Sequence, residues 1–406
     1  MIKKILYISS LCSPALVEYL FRTSSVKPLQ SVQKFHRLLA EGIKLADNSV
    51  NLETLSSVPI PLNHKKLIWN IAPEEFNNIS YTYVPVINIP LLKDIIISIY
   101  SFFRVILWRF SDPRASSKVV ICDVLKLSIS VSANLACKLM GIKIIAIVTD
   151  LPGLMIVNSI KRKPLKLKIY NKITSKILSN FDGYVLLTEQ MNEIVNPQRK
   201  PYIIMEGLVN IGLNMAVNSI ENKQSERILI YAGGLFEKYG IKKLIDAFIL
   251  VKGNDLRLHI YGSGEMVKNM TLYMHIDPRI VYKGNVPNQI VVDNLQTATL
   301  LINPRPSTEE LSKYSFPSKN MEYMASGTPL VTTLLPGMPK DYCPYVYLFD
   351  DESVNGLSKM LQFLLSKKKE ELHEFGNNSK EFVLKYKNNK IQGQGVLKFI
   401  SQAEFI

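Results

Sequence analysis

Along this chain, short apolar runs alternate with stretches in which apolar residues return at the spacing of a helix face. Residues 3–10 (KKILYISS) form the first run, followed by the polar loop SSLCSP. A run without polar alternation is the pattern of a parallel strand covered on both faces. Val32, Phe35, Leu38, Leu39, Gly42, Ile43 and Ala46 then recur at helical spacing, predicting an amphipathic helix over 31–46. KVVICDV (118–124) and IKIIAIVT (142–149) are β-branched runs separated by SISVSANLACKLMG, whose Gly141 suits a helix stop, and GYVLLT (183–188) follows. These are βαβ units of a parallel sheet.

A second series begins after KPYIIMEG (200–207), where the polar stretch NSIENKQSER intervenes. RILIYAGG, LRLHIYGSG, IVYKG, TLLINP and PLVTT read as five more short strands, each followed by a turn residue and most by a helical pattern. The pattern predicts an α/β protein of two doubly wound domains: residues 1–207, a linker at 208–226, a second domain at 227–380, and a charged helical tail at 381–406 that crosses back to the first domain. Such sheets bind ligands outside the carboxyl ends of their strands, so the expected site is a central cleft between the domains.

Length agrees with two domains, because 406 residues exceed the about 250–300 that one core usually serves. Lysine and arginine number 49 against 34 acids, a net charge of +15. That balance points to phosphates, nucleic acid or an anionic membrane surface. The absence of RNP, zinc-finger or helix-turn-helix signatures argues against nucleic acid. Cys12, Cys122, Cys137 and Cys343 are scattered, as are the five histidines, so neither a disulfide framework nor a metal site is expected, and a reducing cytosol fits. MIKKILYISSLCSP reads as a buried strand rather than a leader. The most apolar stretch, 95–110 (IIISIYSFFRVILWRF), is interrupted by Arg104 and is too short to span a bilayer.

Two glycine-bearing loops follow strands of the second series: AGG with Gly233 and Gly234, and YGSGE with Gly264. Glycines there let backbone N–H groups approach a phosphate, although a tight turn alone would also use them. No G-x-x-x-x-G-K-[ST] occurs and no G-x-G-x-x-G follows the first strand, which removes support for P-loop hydrolysis and ordinary dinucleotide binding. Residues 302–333 are the most informative. A strand ends at Asn303, a polar loop runs to Phe316, Ser318 is placed to cap a helix, and Gly327 ends it. Arg305, Lys319 and Glu322 would surround that helix's amino terminus, a setting for a phosphate-and-sugar ligand, unless Lys319 is merely solvated and Glu322 an ordinary capping carboxylate.

The segments YAGGLFEKYGIKKLIDAF, HIYGSGE, YKGNVPN and FPSKNMEYMASGTPLV, in this order, resemble the donor domain of GT-B retaining glycosyltransferases of the family-4 type. The FPSK-x-x-EYMASG variant is similar to enzymes that build bacterial surface and capsular polysaccharides. The resemblance implies that Glu322 holds the nucleotide ribose, that Ser315, Phe316, Pro317, Ser318 and Lys319 face the donor sugar and diphosphate, and that Lys283, Gly284, Asn285 and Val286 meet the base. It also implies a nucleoside diphosphate sugar as substrate, with no metal and no cofactor. Two family cations are missing: Gly234 stands where an arginine is usual and Tyr239 where a lysine precedes Gly240. Lys238 and Arg305 are the expected replacements. An earlier family glutamate falls on Tyr314, with Glu309 and Glu310 nearby.

On the acceptor side, Asp150 follows the strand IIAIVT and precedes Pro152 and Gly153, so it is expected to contact the acceptor hydroxyl or donor sugar, or else to make a loop turn or cap a helix. Residues 161–176 carry seven cations (Lys161, Arg162, Lys163, Lys166, Lys168, Lys172 and Lys176) and no acid. With the aromatic-rich 95–110 helix they suit an interfacial surface on anionic lipid, or else a solvated helix and a core helix. The expectation is a cytoplasmic enzyme, peripheral on the inner face of a bacterial membrane, that passes a sugar to a lipid-linked saccharide. The alternatives are a non-catalytic sugar-nucleotide-binding or scaffold protein and a nucleotide-sugar 2-epimerase, which would need acid/base carboxylates and histidines converging on the sugar.

Overall fold

The computed structural model describes residues 3–24, 30–112, 117–151, 174–212, 218–221, 223 and 226–402. The chain divides into two compact units, residues 1–208 with 389–406, and residues 209–388.

In the first unit, β1 (Lys3–Ser9), β2 (Asn51–Ser56), β5 (Ile79–Tyr83), β7 (Ser117–Asp123), β8 (Lys143–Val148), β9 (Gly183–Leu186) and β10 (Tyr202–Ile204) run parallel, and β4 (Glu74–Phe76) pairs antiparallel to β5 at one edge. The order among the described residues is β10-β9-β8-β7-β1-β2-β5-β4. The helices are α1 (Pro14–Thr23), α2 (Gln30–Ala46), α3 (Leu92–Phe110), α4 (Leu127–Leu139) and α5 (Glu189–Val195). The runs read from sequence as buried strands are those strands: Ile5, Leu6, Tyr7 and Ile8 are all but inaccessible, as are Val120, Ile121 and Cys122. Gly141, at φ +63°, follows the end of α4 as the stop signal required. The pattern did not disclose β2 and β5, whose polar positions dilute their apolar runs, or the two-stranded ribbon of β3 (Ile68–Trp69) and β6 (Val86–Ile87).

The second unit has β11 (Arg227–Ala232), α6 (Ile241–Leu250), β12 (Leu256–Tyr261), α7 (Val267–Ile276), β13 (Ile280–Gly284), α8 (Asn288–Thr297), β14 (Leu300–Asn303), α9 (Glu310–Lys313), α10 (Ser318–Ser326), β15 (Leu330–Thr332), β16 (Tyr347–Leu348), α11 (Val354–Ser366) and α12 (Lys369–Tyr386). Its strands are all parallel, ordered β13-β12-β11-β14-β15-β16. Apolar clusters cover both faces of this sheet: Leu229, Tyr231, Leu244 and Phe248 on one, Ile228, Ile230, Leu295 and Met324 on the other. That double covering is why its strands read as unbroken apolar runs.

The boundaries differ from the sequence reading. Part of the expected linker is packed on the second unit: Asn218 donates to the Ser326 carbonyl (2.9 Å), and Lys223 Nζ donates to the carbonyls of Gln296 and Ala298 and to Thr328 Oγ1. At the other end α12 runs past residue 380 to Tyr386, and the chain changes unit only at Asn389. The last helix, α13 (Asn389–Gln402), lies in the first unit against α2. Its Gly393 meets the backbone of Gly42 so closely that a Cβ on Gly393 would stand 2.3 Å from the Gly42 carbonyl carbon.

Candidate functional site

The carboxyl ends of β11, β12 and β14 carry the glycine loops and the polar loop singled out from sequence. Gly233, Gly262 and Gly264 all have positive φ, and a Cβ at Gly262 would lie 1.8 Å from the Gly233 carbonyl oxygen. Leu235 N–H donates to the Ser263 carbonyl (2.9 Å) and Met266 N–H to the Leu235 carbonyl (3.0 Å). The two loops are therefore laced backbone to backbone, an approach that only glycine permits. Gly284, at φ +82°, ends β13 and accepts from Gly262 N–H (2.9 Å), while Val286 packs on the core and Lys283 and Asn285 are exposed.

Helix α10 is pinned to this edge by its own side chains. Asn320 Oδ1 accepts from Asn303 Nδ2 (2.8 Å) at the end of β14, and the Tyr323 hydroxyl accepts from Ala232 N–H (2.7 Å) and donates to its carbonyl (3.2 Å). Ser318 does not cap the helix as expected. Pro317 is the capping residue, Ser318 is the first helical residue, and no side chain accepts from the first turn. Proline's missing N–H makes it acceptable there, and the Asn320 N–H of the first turn donates to the Pro317 carbonyl (2.9 Å). Phe316 is buried against Tyr342, ring centroids 5.1 Å apart, so its side chain serves the core. Ser315 Oγ donates to the Leu311 carbonyl (2.9 Å). Glu322 is half-buried on the second turn of α10.

Three cations gather beside two tyrosine rings. Lys319 Nζ sits 3.9 Å from the centroid of Tyr231, and a Cβ on Gly233 would approach it to 2.8 Å. Lys238 Nζ and the Arg305 guanidinium are each 5.3 Å from the Tyr239 centroid. Arg305 is held further by its Nε–H, which donates to Ser312 Oγ (3.2 Å). Tyr239, which replaces a family cation, is thus the platform for two cations. Ring faces attract cations by about 0.5–2 kcal/mol, but they do not neutralise them. Burial and the charge of Arg305 push the Lys319 ammonium down to about 7. Burial pushes the Tyr231 and Tyr323 phenols up, so both stay neutral donors. A nearby dianion would favour the charged form of Lys319.

Glu309 opens the short helix α9, Glu310 is exposed, and Tyr314 is half-buried at the helix end. In the first unit, Asp150 stands just beyond β8, its Oδ1 accepting from Leu151 N–H (2.8 Å). Pro152 and Gly153, and the basic residues Lys161, Arg162, Lys163, Lys166, Lys168 and Lys172, lie outside the described residues. Among the described residues no group of three His, Cys, Asp or Glu side chains gathers as a metal site, and no helix is long and apolar enough to cross a membrane. Sequence reasoning missed Tyr231 and Tyr323, although each adjoins a motif residue it did choose.

Comparison with known proteins agrees with this geometry. Residues 216–382 match the family model of glycosyl transferases group 1. Over the whole chain the structure is similar to sucrose-phosphate synthase from Thermosynechococcus elongatus (TM-score 0.68, 14% identity, 98% of each chain covered). It is also similar to HepE from Anabaena in complex with UDP (0.63, 10%, 98% of this chain and 99% of that one) and to the apo form of the lipopolysaccharide outer core galactosyltransferase WaaB (0.59, 16%, 98% and 99%). No curated protein matches the chain in sequence. At such identities the likeness establishes the fold, GT-B with two Rossmann-like halves. That family match falls within the second unit, and glycosyl transfer is the class of activity it supports.

Proposed function

We propose that the protein is a retaining, metal-independent glycosyltransferase that moves a sugar from a nucleoside diphosphate donor to a hydroxyl of a lipid-linked saccharide in bacterial surface or capsular polysaccharide synthesis. The observation that carries the reading is the gathering of Lys238, Arg305 and Lys319 at the carboxyl ends of β11 and β14, beside the uncapped amino terminus of α10. HepE, a structural neighbour, is solved with UDP and with UDP-glucose, which favours a diphosphate sugar here.

In this reading Glu322 accepts the two ribose hydroxyls, since a carboxylate offers acceptors to a diol. Gly233, Gly234, Gly264 and the first turn of α10, with Ser315, Phe316, Pro317, Ser318 and Lys319, cradle the diphosphate and sugar, and Gly284 and Val286 border the base. As the glycosidic bond of the donor breaks, charge grows on the leaving diphosphate. Lys238, Arg305 and Lys319 are fixed donors that stabilise it without reorganising. The diphosphate oxygen then takes the acceptor proton on the same face of the sugar, and Asp150 contacts the acceptor or donor sugar. A cytoplasmic location on the inner membrane face suits a lipid-linked acceptor and the net charge of +15.

The test is a panel of UDP-, GDP- and dTDP-sugars, read by thermal shift and by release of free sugar without added metal. Stabilisation by one nucleotide series with sugar release above background is expected. Binding with no release or transfer under any acceptor would instead make this a sugar-nucleotide-binding protein.

A further inference from the structure

Helix α3 is apolar on two faces. Ile97, Ser101, Val105 and Trp108 are buried in the first unit, whereas Ile95, Ile99, Phe103, Leu107 and Phe110 repeat at four- and three-residue spacing and are exposed, Phe103 by 58% and Phe110 by 68%. A helix apolar all round is normally covered all round. The helix packed beside it repeats the feature. Ser98 Oγ on α3 donates to the Ser128 carbonyl on α4 (2.9 Å), and α4 exposes Val131, Leu135 and Leu139 at i, i+4 and i+8. Before α3, the β3–β6 ribbon and the turn that follows expose Leu67, Ile68 (66%) and Leu91 (80%), with β6 against α3. Single exposed apolar residues are ordinary, but three neighbouring elements exposing them together mark an interaction surface.

Charge selects the occupant. The ribbon exposes Lys65 and Lys66, the latter with Nζ 4.8 Å from the Trp69 ring centroid. Arg109 is exposed at the end of α3 and Lys138 on α4, while Asp94 is the one acid of α3 and α4 has none. A second copy of a chain with net charge +15 would be repelled at such a rim. An anionic bilayer would be attracted, with apolar side chains entering the acyl boundary and cations remaining among the headgroups.

We propose that the β3–β6 ribbon and the exposed faces of α3 and α4 form one seat for the interfacial layer of an anionic membrane. This extends the membrane contact expected of residues 95–110 and the basic run 161–176 to α4 and the β3–β6 ribbon. The use of such a seat rests on the lipid-linked acceptor proposed above, but its existence is tested without any sugar. The experiment is co-sedimentation of the full chain with vesicles of 70% phosphatidylcholine and 30% phosphatidylglycerol, and with phosphatidylcholine alone. The parent protein should bind the mixed vesicles and much less the neutral ones. A Phe103→Glu/Leu107→Glu variant should lose at least about ten-fold in partition, and Leu135→Glu should lose less. Lys65→Glu and Lys66→Glu should each lower partition roughly five-fold or more at low salt, since a surface cation contributes about 1 kcal/mol.

Circular dichroism and melting temperature check that the variants fold, and a Phe103→Ser/Leu107→Ser pair replaces any that does not. Undiminished sedimentation of the folded variants would overturn the proposal. So would a lipid-free dimer of the parent, seen by sedimentation velocity, that these substitutions dissociate. Donor hydrolysis in lipid-free buffer should be unchanged in every variant. Its absence in the parent would count against the transferase reading and leave the seat standing.

Discussion

Lys223 and Lys319 belong to the same unit and burial pushes both ammonium groups down to about 7, yet they are held in opposite ways. Lys223 Nζ donates to three oxygens, those of Gln296 (2.6 Å), Ala298 (2.8 Å) and Thr328 (2.9 Å), near the amino ends of β14 and β15. Lys319, at the carboxyl ends, lies over a tyrosine ring and against the charge of Arg305. The amino ends of the sheet satisfy other cations too: Arg227 with Asp255, Arg257 with Glu226, and Arg279 with Asp277. Among the described residues neither Lys238 nor Lys319 has a carboxylate partner. A cation whose donors all find oxygens is a brace; a desolvated cation resting on a ring is the kind proposed above to meet an anion.

Substitutions among the ring-bound cations should cost the most. Lys319→Met, Lys238→Ala and Arg305→Ala should each lower the catalytic rate at saturating donor about 10–1,000-fold, the range for removing one electrostatic donor, with little change in melting temperature. Lys319 also sets a pH signature. Above about 7 the free protein holds it largely neutral, so donor binding must take up a proton and affinity should fall as pH rises from 7 to 9. Calorimetry in buffers of different ionisation enthalpy reads that proton, and a slope that survives in Lys319→Met would remove Lys319 from the site.

Next in size, Glu322→Gln should weaken donor binding by about 1.5–3 kcal/mol, as for a hydrogen bond to a charged group, with the fold intact. Unchanged affinity by calorimetry would exclude it from ribose binding. Lys223→Met should do the reverse, costing about 1–3 kcal/mol of stability by leaving buried oxygens without a donor while sparing donor affinity. Urea unfolding beside donor titration separates the two lysines. If Lys223→Met lost activity at full stability, the division between brace and site would fail.

The smallest effect is at Asp255. Its hydrogen bonds from Arg227 hold the carboxyl below the usual aspartate range. A lowered carboxyl contributes stability that is present above the ordinary aspartate value and is lost as pH falls through the lowered one. The pair is largely exposed, so the contribution should be about 0.2–1 kcal/mol. Asp255→Asn should narrow the stability gap between pH 7 and pH 3 by that much in urea unfolding, without touching donor binding.

The two sheets were legible where strands are covered on both faces, as at Ile5 to Ile8 and Leu229 to Tyr231, because burial on both sides leaves no room for polar alternation. The glycine loops and the helix at residues 318–326 were legible because turns and helix stops demand particular residues. Less was legible in β2, β5 and the β3–β6 ribbon, whose short runs mix polar and apolar positions.

The alternating architecture, the glycine turns and the kinds of charged residue available can be read along the chain, because they follow from local sterics and from the apolar runs that burial requires. Which cation meets which ring cannot be read that way. Tyr231 and Lys319, or Tyr239 and Arg305, are distant in the chain and become neighbours only when β11 and β14 lie side by side and Tyr323 clasps Ala232. Cation–ring contact, burial and the lowered Lys319 ammonium are properties of distance and local dielectric, and only the tertiary structure sets those.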